Sequence, residues 1–217
     1  MVAEAQVLVK PSDYLGVEWT PDGTQVICYE GYGGKLHNFD AESWTFKHTC
    51  AKRFPIRAIA CARDGTSLAG IGRGKLMMFD THSGKKVWRV TGQPEPKYPG
   101  LSWSADGKVL GSSYGDSVRL GNPKDGKKIA FYIGDSEQYQ DESNDGIAQI
   151  AFSYDGKLLA GGSQYSIFFW DLLTKEKIAT LPGFGSVFLR PLAFHPTQKL
   201  VATRRLKEPI KVWSYDY

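Results

Sequence analysis

The sequence predicts an all-β fold made of five repeated units with four strands to a unit. Three observations carry that prediction. First, the apolar residues come in runs of strand length, separated by turn signals. Between residues 150 and 171 the runs are Ile150–Ser153, Leu158–Gly161 and Ser166–Trp170, broken by Tyr154-Asp-Gly156 and by Gln164-Tyr165. A fourth run, Ile178–Leu181, follows Leu172–Lys177. Asp-Gly admits positive φ at low cost, so the break at Gly156 reads as a tight reversal between antiparallel strands. Second, the unit recurs. Trp19-Thr-Pro-Asp-Gly23, Ala62-Arg-Asp-Gly65, Trp103-Ser-Ala-Asp-Gly107 and Phe152-Ser-Tyr-Asp-Gly156 align, with Phe194-His-Pro-Thr-Gln198 as a worn fifth copy. The anchors Asp22, Asp64, Asp106, Asp155 and Thr197 are spaced by 42, 42, 49 and 42 residues. Third, a second landmark keeps step with the first: Phe39-Asp40, Phe79-Asp80, Leu120-Gly121, Trp170-Asp171 and Trp213-Ser214.

Taken in order, the chain opens with a short apolar run, Ala5-Gln-Val-Leu-Val9, ahead of the first full unit. Unit one follows with Leu15-Gly-Val-Glu-Trp19, Gln25–Tyr29 and Lys35–Phe39, the last two joined by the glycine-rich turn Gly31-Tyr-Gly-Gly34. That turn is no phosphate loop, because no Lys-Ser/Thr and no helix follow it. In unit two Gly72-Arg-Gly-Lys75 takes the same place, and Lys75-Leu-Met-Met-Phe79 mirrors Lys35-Leu-His-Asn-Phe39. Proline at Pro94, Pro96 and Pro99 marks the connection into unit three, since proline suits a connection and not a central strand. The spacing of 49 reflects an acidic insertion between Gly134 and Gly146, a change that a surface loop tolerates cheaply. Unit five ends after Ile210–Trp213 with one strand too few, and Arg204-Arg-Leu-Lys207 replaces the usual small turn residues.

A period of about 40–45 residues with four strands and a Trp-Asp signature is the pattern of WD40 repeats. On these landmarks the chain resembles the WD40 repeat family over nearly its whole length, in a divergent form familiar from bacterial members. The resemblance implies a single β-propeller domain with blades at about 15–50, 56–90, 99–134, 147–182 and 188–217. The strand count adds the expectation of a ring closed by pairing of the strand at 5–10 with the last blade, and the spacing of 49 that of a loop insertion at 134–146. Many members carry a Gly-His before each blade and an Asp in the second tight turn. Here there is no Gly-His, and Asp116 is the one residue placed to match that Asp. Blade packing is therefore expected to rest on apolar contacts.

Composition narrows the function. The 217 residues suit one domain, and no apolar run reaches membrane-spanning length. Met1–Lys10 lacks the apolar core of a secretory signal. Cys28, Cys50 and Cys61 are odd in number and lack metal or redox spacing, so they read as reduced thiols of a cytoplasmic protein. Net charge is +4, yet Asp135, Glu137, Asp141, Glu142 and Asp145 crowd one loop, and without them 27 bases face 18 acids. The body is thus basic, which fits either a solvated surface or one that attracts anions.

Catalysis needs converging titratable groups. His37, His48, His82 and His195 show no metal-ligand spacing, and no Gly-x-Ser-x-Gly nucleophile elbow is present. No cofactor or metal is expected. The family resemblance implies partner docking on the face formed by the blade connections and second turns. Those segments carry Tyr32, Phe54, Arg57, Arg73, Tyr98, Tyr165, Phe184, Phe188 and Arg190, residue types that make good interface anchors. The expected function is a non-enzymatic protein-interaction scaffold, a small subunit or adaptor of a larger complex whose partners are proteins. The alternatives are a nucleic-acid-binding subunit using Arg204, Arg205 and Lys207, and an enzyme or small-ligand binder in the central channel.

Overall fold

A computed structural model of the chain describes residues 14–30, 35–50, 56–94, 98–134, 146–182, 192–204 and 209–216. These residues form nineteen strands in five antiparallel sheets, taken strictly in chain order. The first sheet holds β1 (Tyr14–Trp19), β2 (Gln25–Glu30), β3 (Leu36–Asp40) and β4 (Phe46–Thr49). The second holds β5 (Ala58–Cys61), β6 (Ser67–Gly72), β7 (Lys75–Asp80) and β8 (Lys86–Thr91). The third contains β9 (Leu101–Trp103), β10 (Leu110–Tyr114), β11 (Ser117–Gly121) and β12 (Lys128–Ile133). The fourth contains β13 (Gln149–Phe152), β14 (Leu158–Gly162), β15 (Ser166–Asp171) and β16 (Lys177–Pro182). The fifth has three strands among the described residues: β17 (Leu192–Phe194), β18 (Leu200–Arg204) and β19 (Ile210–Ser214). The expected closing strand at 5–10 and the body of the acidic loop lie outside the described residues.

In each full sheet the second and third strands are the buried ones and the fourth is mostly exposed. The first strands line up side by side, β1 next to β5, β5 next to β9, β9 next to β13, and β13 next to β17. Side chains tie them together across the junctions. Glu18 Oε1 accepts from the Cys61 amide at 2.9 Å, Trp103 Nε1 donates to the Ala60 carbonyl at 3.0 Å, and Gln149 Nε2 donates to the Leu192 carbonyl at 2.7 Å. Between the third and fourth sheets the chains approach closely at Gly100, where a Cβ would stand 2.9 Å from the Ala148 carbonyl oxygen. Only glycine fits that contact.

Each junction uses one register. A sheet faces its successor with a residue on its second strand and two on its third: Ile27, Leu36 and Asn38 in the first, Ala160, Ile167 and Phe169 in the fourth. The successor inserts two residues of its first strand. Ile59 and Cys61 pack with Ile27 and Leu36, Leu101 and Trp103 with Ala69, Leu76 and Met78, and Leu192 and Phe194 with Ala160, Ile167 and Phe169. Neither face of a four-stranded sheet is buried without its neighbour, as in other repeat architectures.

The tight turns explain the sequence anchors. Gly23, Gly65, Gly107 and Gly156 have φ of 70, 71, 70 and 70°. The hydroxyls of Thr20, Ser104 and Ser153 donate to Asp22, Asp106 and Asp155 at 2.6–2.7 Å, and accept the amides of Gln25, Val109 and Leu158. In the fifth unit His195 replaces this device, its Nδ1 accepting from Thr197 and Gln198. The second landmark closes the turn after each third strand. Asp40, Asp80 and Asp171 accept amides from Ser43, Ser83 and Thr174.

One sequence assignment is corrected here. The third unit's landmark is Gly121-Asn122, not Leu120-Gly121. Leu110 pairs with Gly121 as Leu68 pairs with Phe79, and the Asn122 amide bonds the Lys127 carbonyl as Asp80 bonds Lys85. Asn122 caps the turn through Lys124. Gly121 therefore stands where Phe39, Phe79 and Trp170 stand in other units. Its space is filled by Arg119, a buried residue whose Nη2 donates to the Gly126 carbonyl at 2.6 Å. Nη1 would lie 2.7 Å from a Cβ at position 121. Burial lowers the Arg119 pKa.

Two predictions follow from these contacts. Gly121→Phe alone is expected to clash with Arg119 and destabilise by about 1–3 kcal/mol. In Arg119→Met/Gly121→Phe the methionine vacates the aromatic slot, and the double variant should be more stable than the sum of the singles, a coupling read by urea denaturation. The second concerns acid. Asp22, Asp80 and Asp106 are held below their ordinary value of 3.8 first by the hydroxyls of Thr20, Ser83 and Ser104, and Asp40 and Asp171 first by the amides of Ser43 and Thr174. Depressed carboxylates stabilise the fold above pH 3.8 and lose that contribution as pH falls through their folded values. Stability should decline from about pH 4 downward, and Asp171→Asn should flatten that decline in denaturation curves measured at successive pH values.

Candidate interaction face

In an antiparallel meander the chain enters and leaves each sheet at one end, and the turn between second and third strands lies there too. Arg57 precedes β5, Tyr98 precedes β9, Arg73 lies in the β6–β7 turn, Tyr165 in the β14–β15 turn, and Arg204 ends β18. The structure thus gathers all five at the same end of the sheets. Arg57, Arg73 and Arg204 are exposed, and Tyr98 and Tyr165 half-buried. Tyr32, Phe54, Phe184, Phe188, Arg190, Arg205 and Lys207 lie outside the described residues.

Backbone bonds lace this end together. The Gln93 amide donates to Gly74 O, Gly115 to Pro94 O, Gly134 to Asp116 O, and Ile147 to Gly115 O. The second turn of the third sheet is therefore fixed to the connections on both sides, and that of the second sheet to the connection that follows it. Arg57 is held by its own amide on Ile71 O and by the Tyr29 hydroxyl on its carbonyl at 3.2 Å. Tyr165 rides on a turn capped by Ser163, whose Oγ accepts the amides of Tyr165 and Ser166 at 3.3 and 3.0 Å. Arg73 adopts φ 47°, a left-handed turn conformation. Among the described residues, the loop segments at this end are internally bonded and carry Arg57, Arg73, Tyr98 and Tyr165.

The opposite end carries the carboxylates of the tight turns, and these are occupied as caps. Among the described residues no group of three or more His, Cys, Asp or Glu could hold a metal ion. All three cysteines are free; Cys28 and Cys61 are buried, and burial pushes the Cys50 and Cys61 thiols up to about 11 and about 12. His37 Nε2 meets Glu30 at 3.1 Å within the first sheet. Among the described residues, apolar grooves lie between adjacent sheets. One of about 430 Å³ is lined by Tyr132, Phe152, Tyr154 and Leu172, the other of about 300 Å³ by Phe169, Ile178, Leu181 and Trp213. Both touch fourth strands, or the strand before one, so neither runs along the axis of the sheets.

Residues 136–171, which span the fourth sheet's first three strands, match the WD domain, G-beta repeat family. Those residues carry a WD40 repeat, and the chain is similar to the WD40 repeat family. Its sheets are β-propeller blades, numbered one to five below. The transcriptional corepressor LEUNIG_HOMOLOG of Arabidopsis thaliana is 22% identical over 209 residues, covering 92% of this chain and 24% of that protein. The chain therefore spans about a quarter of that relative's length. Among solved structures, hydrazine synthase of Kuenenia stuttgartiensis superposes with a TM-score of 0.72 at 17% identity, over 93% of this chain and 58% of the other. A chain of the mitotic checkpoint complex superposes with a TM-score of 0.75 at 20% identity, over 96% of this chain and 64% of the other. At these identities the structural likeness is one of fold. One neighbour is named for an enzyme and one for a protein assembly, so the shared fold serves both kinds of protein. No helix of the described residues is long and apolar enough to cross a membrane.

Residue types and turn positions in the sequence point to this end of the blades. What the sequence did not mark is the lacing. It is made mostly by backbone groups, with the Ser163 and Tyr29 hydroxyls, none of which stands out in a residue-by-residue reading.

Proposed function

We propose that this WD40 protein is a non-enzymatic interaction scaffold, a small cytoplasmic subunit or adaptor of a larger protein complex, docking protein partners on the laced end of its blades. The observation that carries the reading is the backbone lacing. Loops already bonded to one another lose little further freedom on binding, which favours affinity from a modest contact area. Arg57, Arg73, Tyr98 and Tyr165 supply the contact chemistry. Arg and Tyr concentrate binding energy by combining large area with a directed polar group. The WD40 fold fits such a role.

The test is purification of the tagged protein from its native cells, with and without nuclease and high salt, followed by mass spectrometry. A stoichiometric protein that survives both treatments is the expected result. Arg57→Glu/Arg73→Glu should lose that protein at an unchanged melting temperature. Recovery only of nucleic acid that salt removes would overturn the reading and favour the basic end of blade five, since phosphate contacts weaken steeply with salt.

A further inference from the structure

Blades one and two each close the outer part of the junction that follows them with a ring from the fourth strand. His48 is the ladder partner of Asn38, and Trp88 that of Met78. Each ring lies over a glycine in the turn after the third strand of the next blade, His48 over Gly84 and Trp88 over Gly126. Both glycines are buried, and a Cβ at position 126 would stand 2.8 Å from Trp88 Cε3. Trp88 Nε1 also donates to the Pro123 carbonyl of that turn at 2.7 Å.

Between blades three and four both positions are changed. Ala130 pairs with Leu120 as Trp88 pairs with Met78. Lys175 takes the place of the glycine: its amide bonds the Asp171 carbonyl as Gly126 bonds Asn122, and its φ is 65°. With the ring gone, the junction opens into the groove of about 430 Å³, walled by two complete four-stranded blades. Ile129, Ala130, Tyr132, Phe152 and Leu172 give it an apolar lining, and the exposed Lys175 lies beside them. Leu172 holds the place of Pro123. Its carbonyl accepts from Tyr132 Oη at 3.4 Å, longer than an ordinary bond between oxygens. A carbonyl has two lone pairs, so this one keeps room for a nearer donor.

We infer that this groove binds a tryptophan side chain carried on an acidic stretch of a partner protein, the ring filling the space beside Ala130 and its N–H donating to the Leu172 carbonyl. The preceding junction shows the complement. There the chain supplies an indole of its own and bonds it to the carbonyl at the same turn position. Charge selects the residues that flank the guest ring. Residues 104–109, 120–132, 152–157 and 171–177, which frame the groove, hold seven lysines against five acids. Four of those acids, Asp106, Asp125, Asp155 and Asp171, already accept a backbone amide. Lys175 makes no ion pair among the described residues. Such a rim attracts carboxylates. The tight turns at Ser104–Asp106 and Asp155–Gly156 form part of its wall, so the groove opens away from the laced loops.

The test is titration of the isotope-labelled full chain with the acetylated, amidated peptide Glu-Asp-Trp-Asp-Glu, followed in amide NMR spectra. Saturable shifts centred on Ala130, Gly156 and Leu172 are expected, with the amides of Arg73 and Tyr165 unmoved. Replacing the tryptophan with alanine, or the acids with lysines, should weaken binding by about tenfold. Ala130→Trp/Lys175→Gly rebuilds the Trp88–Gly126 pair within the chain. It should melt at or above the wild-type temperature and bind the peptide about tenfold more weakly. Lys175→Glu, at an exposed site, should keep the wild-type fold and weaken the acidic peptide several-fold. Absence of saturable binding, shifts confined to the loop end, a lysine-flanked peptide bound as well as the acidic one, or undiminished binding by Lys175→Glu each overturns the proposal. Arg57→Glu/Arg73→Glu should bind the peptide as the wild type does, so failure here leaves docking at the laced end standing.

Discussion

Everything in this fold depends on one repeated contact, the insertion of two first-strand residues into the face of the preceding sheet. A sheet of four short strands has two apolar faces and cannot bury either by itself. Full burial of an aliphatic side chain contributes about 1.5–3 kcal/mol. Two inserting residues and the three they cover therefore place several kcal/mol at each junction, comparable with the whole net stability of a domain, about 5–15 kcal/mol. Blades are consequently not independent units that happen to touch. The glycine at Gly100 and the first-strand hydrogen bonds hold neighbouring blades at the separation this contact requires.

The third blade shows how far that contact tolerates substitution. Its aromatic position is glycine, and the lost volume is returned by a side chain from two residues earlier on the same strand. Residues two apart on a strand share a face, so Arg119 reaches the space over Gly121 without any change in the ladder. A guanidinium is a poor apolar filler, yet its stem packs while its head bonds the Gly126 carbonyl of the following turn. The turn itself is then capped by Asn122 in place of aspartate. Blade three keeps its geometry while losing both letters of its signature.

Much of this was legible in the sequence, and the failures have physical causes. The Asp-Gly anchors were reliable because a left-handed turn restricts residue choice more than any other feature of the repeat. The same anchors located the strands and put the candidate Arg and Tyr residues on connections and second turns, hence at one end. Leu120-Gly121 was misassigned because alignment by hydrophobicity matched the apolar residue to the apolar residue. The structure matches by ladder partner, and in this blade the inward slot belongs to an arginine. Asp116 joins the lacing through its backbone carbonyl, a role that no side-chain pattern could announce.

The fourth strands show how the fold protects what it leaves exposed. Those of blades two, three and four each begin with an exposed lysine: Lys86, Lys128 and Lys177. In these sheets the fourth strand stands at the edge, with a ladder partner on one side, so its outer backbone groups could template another strand. Charged residues on such an edge discourage that association. The apolar faces inside the series need no such guard, because the insertion that buries them also removes them from any competing contact.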